Sequence, residues 1–427
     1  MAENTMTLEV CFGQRGDLVG TLWLTTDGER SFSSFQYAHS WLIHPRRFAI
    51  APSIPLSDGR YHFRETEGIP HTSALPSPLS DTVPDSWGRR LLDANARVNR
   101  RGILNEFNYL ISIDDFSRMG ALRLRFPKGS HFLSTPDDGH PVVPPILKID
   151  SLVRDINQFE ASNPSRVILA RLLDAGTSLG GARPKCSVID SDGSLSLAKF
   201  TSRHDTRPVE RMEVLALHLA RICGITVPDS RIEFSGDTAV AVIRRFDRNG
   251  KGRIPYLSGQ SFLGLASTDG GTYLEFAELL REHAVHPRQS LHELFKRVSY
   301  TILVNNTDDH LRNHGLLYKG DDKWDLSPMF DVNPSPQRTG HLKTAIDDSR
   351  NPVASVELLL ENVEFFDLSV DEGRALVRQQ AQTIRDTWQP LGISLGLTPE
   401  ELREYSPAFM HPEIDIALHP PSIPGMS

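Results

Sequence analysis

The sequence is poor in cysteine and contains no long hydrophobic run. Its three cysteines, Cys11, Cys186 and Cys223, are far apart among 427 residues and form no CxxC pair. This spacing indicates neither a disulfide framework nor a cysteine zinc site, so we expect three buried structural thiols. No window reaches the roughly 18 apolar residues of a membrane span, and the first residues lack the basic and apolar regions of a secretion signal. We therefore expect a cytoplasmic protein with no membrane contact.

Basic residues are not in excess either. There are 46 Lys and Arg residues against 54 Asp and Glu residues, which gives a net charge of -8 and a pI of about 6.1. Proteins that hold nucleic acid by their own surface need clustered basic side chains to contact phosphates. Any association with DNA is therefore expected only indirectly, through a partner.

The length and composition are those of a globular enzyme. A single hydrophobic core stops growing well below 427 residues, so two or three lobes are expected. Residues 1–125 carry short alternating stretches such as LEVCFG and GTLWLTT, which predict a small antiparallel sheet. Within this region TVPDSWGRRLLDANARV changes to helical spacing, with Pro84 and Asp85 at the helix start and Trp87 on its apolar face.

The rest of the chain divides into three parts. The Pro- and Gly-rich run at 126–150 predicts a connector. Residues 151–255 alternate helices and strands and predict a β-rich lobe, whereas 256–427 are mostly helical. The fold class predicted from the whole pattern is α+β, with a strand-rich half before a helix-rich half.

The polar decapeptide NNTDDHLRNH, residues 305–314, follows a helix whose apolar residues recur at helical spacing. Asp308 and Asn313 have the D-x-x-x-x-N spacing of a kinase catalytic loop, where Asp orients the acceptor hydroxyl and Asn holds Mg²⁺. Eighteen positions after Asn313, SPMFDVNP offers Asp331 as a second metal-holding carboxylate. A competing interpretation is that His310 and His314, at i and i+4, bind zinc with Asp308 or Asp309.

Two further stretches extend the kinase interpretation. TSLGGARPK, residues 177–185, contains Gly180 and Gly181, whose backbone N–H groups could approach an anion, with Arg183 and Lys185 nearby; alternatively Gly180 ends the preceding helix. Lys199 ends a predicted strand and is either a phosphate-binding lysine or a solvated edge residue. Glu213, on the next helix, completes the order of Gly loop, strand lysine and helix glutamate found in kinases.

These motifs, in this order, resemble the HipA family of serine/threonine kinase toxins over nearly the whole chain. FQYAHSWL, SIPLSDG, PDSWGRRLL and SRMGALRLRF resemble the family's N-terminal subdomain. SLGGARPK, AKF, MEVLALHLARICGI, RRFDR, NNTDDHLRN and LSPMFDVNP resemble its kinase core. The resemblance implies a bilobal protein-kinase-like fold, with a β-rich N-terminal subdomain and lobe and a helical C-terminal lobe, that transfers the γ-phosphate of ATP to a protein hydroxyl.

The resemblance also implies roles for individual residues. Asp308 is the expected catalytic residue, and Asn313 and Asp331 are expected to hold Mg²⁺. The residues expected to contact the nucleotide are Ser178, Gly180, Gly181, Ala182, Lys185, Lys199, Phe246 and His310. Ser178, at the start of the S-x-x-G-A-x-x-K loop, is also the expected regulatory autophosphorylation site, since a phosphate there would bring negative charge into a loop that receives ATP phosphates.

The expected partners are a helix-turn-helix antitoxin that binds DNA and a protein substrate, for which an aminoacyl-tRNA synthetase is a known type in the family. One departure concerns Arg244, which stands where many relatives have a glutamate near adenine. Phe246, two residues later, could stack on the base or pack in the core. Two other functions stay open: a small-molecule kinase, or an inactive kinase-like module that docks on a DNA-binding antitoxin.

Overall fold

The computed structural model describes residues 4–28, 30–65, 72–129, 131–133, 143–161, 164–175, 181–267, 270–349 and 351–420. They form two compact units, and each is described by itself. The first contains Met1–His204 and Glu233–Leu257, and the second contains Asp205–Ile232 and Ser258–Ser427. None of the described helices combines the length and the apolar character needed to cross a membrane.

The first unit begins with the predicted antiparallel sheet. Its strand order is β4-β3-β2-β1-β5, and every neighbouring pair is antiparallel. The strands are β1 (Asn4–Phe12), β2 (Asp17–Asp27), β3 (Arg30–Tyr37), β4 (Arg60–Arg64) and β5 (Leu122–Arg125). Apolar side chains such as Leu8, Leu22 and Phe35 are fully buried on one face, which the alternating sequence predicts.

Helices of the first unit connect this sheet to a second one. They are α1 (His39–Leu42), α2 (Ser77–Ser80), α3 (Ser86–Val98), α4 (Glu106–Ile111), α5 (Ile149–Glu160) and α6 (Arg166–Asp174), with a 3₁₀ turn at Ile146–Lys148. Helix α3 starts where Pro84 and Asp85 predict, and Asp85 is its N-cap residue. Part of the predicted connector, residues 130 and 134–142, lies outside the described residues.

The second sheet has the order β6-β7-β9-β8. Its strands are β6 (Lys185–Ile189), β7 (Leu195–Phe200), β8 (Ser230–Ser235) and β9 (Thr238–Arg244), followed by the short strands β10 (Arg248–Asn249), β11 (Gly252–Arg253) and β12 (Tyr256–Ser258). One continuous core joins Trp87 of α3, Phe159 of α5 and Leu169 of α6 to the inner face of β6, β7 and β9. Helices α3, α5 and α6 therefore support the sheet that carries Lys185 and Lys199.

The second unit is mostly helical. Its helices are α7 (Val209–Ile222), α8 (Gly259–Phe262), α9 (Tyr273–His283), α10 (Pro287–Leu303), α11 (Val356–Glu361), α12 (Val370–Ser394), α13 (Pro399–Phe409) and α14 (Pro412–Leu418), with 3₁₀ turns at Leu311–Asn313 and Val363–Phe366. Strands β13 (Gly315–Gly320) and β14 (Lys323–Leu326) form an antiparallel hairpin. Leu291, Leu294, Phe295, Val298 and Ile302, which predict helix α10, are all buried.

The three thiols are free and buried, as expected from their spacing. Burial raises the pKa of Cys11 to about 11 and that of Cys223 to about 12. It also raises the pKa of Cys186. All three therefore stay protonated at neutral pH and serve as small apolar core residues.

Candidate active site

The decapeptide 305–314 links helix α10 to strand β13 in the second unit. The backbone carbonyl of Asp308 accepts hydrogen bonds from His310 N at 3.0 Å and from Asn313 Nδ2 at 3.3 Å. The Asp308 side chain is exposed, whereas Asn313 is buried. The structure thus folds the predicted catalytic Asp and the predicted metal-binding Asn onto one another in a single tight loop.

Asp331 is joined to this loop by two asparagines. Asn333 donates from Nδ2 to Asp331 Oδ1 at 3.3 Å and from its backbone N to Asn306 Oδ1 at 3.2 Å. Asn306 lies two residues before Asp308, so the hydrogen bonds run from the second carboxylate to the catalytic loop. The 305–308 and 331–333 segments are therefore neighbours in the second unit.

Left-handed backbone occurs at both segments. Asn305 has φ 51° and Asp331 has φ 58°, a region that Asn and Asp tolerate better than most residues. Asn305 also donates from Nδ2 to the carbonyls of Ser335, at 2.5 Å, and Gln337, at 3.1 Å. Non-glycine residues held in this region cluster at ligand-binding and catalytic sites, so their presence on both segments favours a functional site here.

The buried side chain of Asp309 anchors the loop through hydrogen bonds. Its buried Oδ2 accepts hydrogen bonds from Tyr273 Oη at 2.6 Å, His314 Nε2 at 3.0 Å and Thr301 Oγ1 at 3.1 Å. Thr344 Oγ1 donates to the Asp309 backbone carbonyl at 2.8 Å. Burial alone would raise the pKa of Asp309, but His314 and the hydrogen bonds outweigh burial and hold that pKa below its usual value. Burial and the charge of Asp309 raise the pKa of Tyr273 well above 10.

Two buried lysines lie side by side in the first unit. Lys185 and Lys199 are direct partners across the antiparallel pair of β6 and β7, and their exposures are 5% and 7%. Directly opposite residues in such a pair project from the same face with Cβ atoms about 5 Å apart. The two lysine side chains therefore project from one face at the same end of this hairpin.

Arg244 and Phe246 lie at the end of strand β9. The Arg244 guanidinium makes an ion pair with Asp192 at 3.2 Å, in the turn between β6 and β7, and both side chains are about half exposed. The structure therefore gives this cation a carboxylate partner within its own sheet. Phe246 is half-buried, with its ring centroid 6.1 Å from that of Tyr256.

The residue chemistry fits a metal–nucleotide complex. Asp308, Asn313 and Asp331 supply carboxylate and amide oxygens, the ligands that Mg²⁺ prefers beside phosphate and water. Within the part of the chain that the structure describes, Nδ2 of Asn306 and Nδ1 of His310 are buried without a hydrogen-bond partner. Buried polar atoms of this kind normally have a partner, so the loop offers them to a polar ligand.

Two protein-family profiles match this chain. The HipA N-terminal domain profile matches residues 8–125, and the HipA-like C-terminal domain profile matches residues 177–388. The two matches together span most of the chain and include both the lysine pair and the 305–331 segments. The chain belongs to the HipA family.

Individual relatives support the same family. The Sinorhizobium fredii protein named "Putative kinase Y4mE" is 26% identical over 347 residues, covering 74% of this chain and 75% of the relative. A Haemophilus influenzae "Putative kinase" is 23% identical over 187 residues, and the match spans only 54% of that protein. These relatives and the family match support kinase activity for this HipA-family chain.

A solved structure shows the fold. HipA of Shewanella oneidensis, solved with HipB and its operator DNA, superposes with a TM-score of 0.70 at 17% identity, covering 97% of this chain and all of that one. The kinase-like α+β fold predicted from the sequence is thereby confirmed. At 17% identity the match establishes the fold alone. HipB and operator DNA are partners of the Shewanella protein.

The predicted site residues of this HipA-family chain fall into three groups. Asp308, Asn313, Asp331 and His310 belong to the second unit, and Gly181, Ala182, Lys185, Lys199 and Phe246 belong to the first. Glu213 is buried in α7 of the second unit. Ser178 and Gly180 lie outside the described residues, so their roles stay predictions.

The structural roles of several residues at the candidate site were not predicted from the sequence, where Asp309 was considered only as a zinc ligand. Asn306 and Asn333 connect the two loops of the site, and Asp309 with Tyr273 anchors one of them. Asn306 and Asn333 could have been suspected because each lies two residues from a candidate carboxylate. The contact with Tyr273, 36 residues away, left no signal in the local pattern.

Proposed function

We propose that this chain is an ATP- and Mg²⁺-dependent protein serine/threonine kinase and the toxin of a toxin–antitoxin pair. The observation that carries the proposal is the hydrogen-bonded pair of loops that holds Asp308, Asn313 and Asp331 in one unit. This residue set matches a kinase catalytic loop with its second metal-binding Asp. The buried pair of Lys185 and Lys199 supplies the complementary positive charge for the nucleotide phosphates.

Each residue has a distinct task in this proposal. Asp308, exposed on its loop, would orient the acceptor hydroxyl and take its proton. Asn313 and Asp331 would hold Mg²⁺, which when bound neutralises charge on the phosphates. Lys185 and Lys199 would bind phosphate oxygens through charge-assisted hydrogen bonds. Phe246 and His310 are proposed contacts of the nucleotide, and Ser178 is the proposed autophosphorylation site.

The family also suggests the partners. The Shewanella HipA was solved with HipB and operator DNA. We propose that a helix-turn-helix antitoxin binds this chain and brings it to DNA. The acidic balance of the sequence supports an indirect contact with DNA.

Phosphate transfer from γ-labelled ATP tests the activity. The purified full chain should label itself, with the label in the tryptic peptide that contains Ser178, and Asp308→Ala should lower the rate by about 10²-fold or more. Asp331→Ala should raise the Mg²⁺ concentration needed for half-maximal rate. Asp371→Ala is the matched control, because Asp371 is a fully exposed carboxylate of α12.

The outcomes separate the possible functions. Equal transfer by the wild type and Asp308→Ala would refute the catalytic assignment. Transfer only to small alcohols would show a small-molecule kinase. ATP binding by calorimetry without transfer to any acceptor would show a kinase-like binding module.

A further inference from the structure

The turn before helix α3 contacts the segment that precedes strand β6. We call residues Pro84–Trp87 the PDSW turn. Asp85 occupies the N-cap position of α3, where an Asp side chain normally accepts a hydrogen bond from the first turn of its own helix. Here the Asp85 side chain makes no such bond, and its Oδ2 accepts from Gly181 N at 2.6 Å instead. A side chain suited to capping α3 therefore binds the backbone 96 residues away.

Trp87 makes the second half of the contact. Its backbone N donates to the Gly181 carbonyl at 3.4 Å, and its indole Nε1 donates to the Lys185 carbonyl at 2.9 Å. The Trp87 ring is 1% exposed and packs edge-to-face on Phe159, with centroids 5.3 Å apart. Both backbone groups of Gly181 and the carbonyl of Lys185 are thus held by a turn that is itself fixed in the core.

The position of Gly181 bears directly on the lysine pair. Gly181 has φ 102°, which a residue with a side chain rarely adopts, and a Cβ there would collide with Lys185 Nζ. The Lys185 ammonium therefore lies against the Gly181 backbone, while Lys185 pairs with Lys199 across the strands. The Gly181 N–H already donates to Asp85, and this hydrogen bond fixes the position of the 181–185 segment. A phosphate would have to compete with the Asp85 carboxylate for that N–H.

We propose that Asp85 and Trp87 are positioning residues of the kinase. They fix Gly181–Lys185 so that the Lys185 ammonium stands beside Lys199, ready for the nucleotide phosphates. This inference rests on the proposed function, and it gives the N-terminal subdomain a part in nucleotide binding. The PDSW turn acts on the nucleotide only through the segment that it holds.

Steady-state kinetics test the proposal. Hydrogen bonds to a charged group contribute enough that Asp85→Ala should raise the KM for ATP about tenfold or more, while kcat changes less than about threefold. Asp85→Asn keeps an oxygen that can accept the Gly181 N–H and should recover most of that loss. Asp93→Ala is the control on the same helix, because Asp93 accepts from Tyr109 Oη at 2.7 Å and does not belong to the PDSW turn.

Hydrogen exchange without nucleotide gives a readout that is independent of activity. The Gly181 amide should exchange about tenfold faster in Asp85→Ala than in the wild type, and Asp93→Ala should match the wild type. Faster exchange of the Gly181 amide in Asp85→Ala, combined with a wild type that never turns over ATP, would remove the proposed kinase function but would support the hold of the PDSW turn on Gly181. Unchanged exchange and unchanged KM in folded Asp85→Ala would overturn the positioning role of Asp85. If Asp85→Ala does not fold, Asp85→Asn takes its place in both experiments. We then expect the KM for ATP to rise about threefold. An unchanged KM together with unchanged exchange in Asp85→Asn would overturn the proposal.

Discussion

At the scale of the residue, two consecutive carboxylates have opposite surroundings. Asp308 is exposed, while Asp309 is 2% exposed and accepts hydrogen bonds from Tyr273, Thr301 and His314. One side chain is thereby available to an acceptor, and its neighbour fixes the backbone that presents it. The buried carboxylate and the exposed one should respond differently to substitution.

We expect Asp309→Ala to lower the free energy of unfolding by roughly 3 kcal/mol, because it leaves His314, Tyr273 and Thr301 without their buried acceptor. Asp309→Asn should cost less, since an amide oxygen can still accept. Urea denaturation followed by circular dichroism measures both changes. Asp308→Ala is the adjacent control and should change stability by less than about 0.5 kcal/mol. An Asp309→Ala variant as stable as the wild type would contradict the anchoring role.

The sequence could predict part of this site. The spacing of Asp308 and Asn313, followed by Asp331, is local information, and the structure places these residues on neighbouring loops. Adjacent aspartates in a polar decapeptide carry no sign of which one is buried, because burial depends on Tyr273 and Thr344, far along the chain. The bond between Asp85 and Gly181 is hidden for the same reason.

At the scale of the element, a buried ionic cluster joins strand β9 and the β10–β11 hairpin to residues 115–120. Asp247 is fully buried and binds Arg245, Arg248 and the backbone N of Gly120, the last at 2.7 Å. Arg245, Arg248 and Arg253 also donate to backbone carbonyls between Asp115 and Gly120. The RRFDR motif therefore stabilises the first unit, a role that its resemblance to the HipA kinase core did not reveal.

Acid should weaken this cluster. Burial alone would raise the pKa of Asp247, but the charges of Arg245 and Arg248 outweigh burial and hold it well below its usual range. A carboxyl whose pKa is lowered by folding stabilises the fold at pH values above its ordinary pKa, which is 3.8 for Asp. This contribution is lost as the pH falls through the lower pKa of the folded state. The wild-type free energy of unfolding should therefore decline below about pH 4.

Asp247→Asn isolates that contribution. It should lower the free energy of unfolding at pH 7 by roughly 3 kcal/mol, because Arg245 and Arg248 lose their buried countercharge. Its unfolding free energy should also depend less steeply on pH between 5 and 3 than that of the wild type. Denaturant titrations across this range measure both effects, and parallel pH profiles for the two proteins would refute the assignment.

The elements themselves were largely predictable. Helices α6, α7 and α10 follow apolar residues at helical spacing, and the hairpin of β6 and β7 follows from alternation around Asp192 and Gly193. Charged motifs were harder, since nothing in the local sequence indicates that contacts with residues 115–120 bury Arg245 and Asp247. Hydrophobic periodicity locates elements, but it does not report which charges are neutralised inside the fold.

At the scale of the whole molecule, the net charge of -8 bears on the proposed partner. Nucleic-acid binding through phosphates depends on basic surface and weakens steeply with salt. The chain alone should therefore bind a random 30-base-pair duplex with a dissociation constant weaker than about 10⁻⁵ M at physiological salt. Fluorescence anisotropy with labelled duplex measures this constant, and submicromolar binding by the chain alone would refute an indirect contact with DNA.

The buried ionic cluster also limits where the chain can be truncated. A fragment that starts after residue 125 would retain Arg245, Arg248 and Arg253 but lose the carbonyls of residues 115–120 that receive them. The buried guanidinium groups would then lack their hydrogen-bond acceptors in a region that excludes water. The N-terminal region is thus no detachable appendage, and chimaeras of HipA relatives should join both sides of this cluster from a single parent.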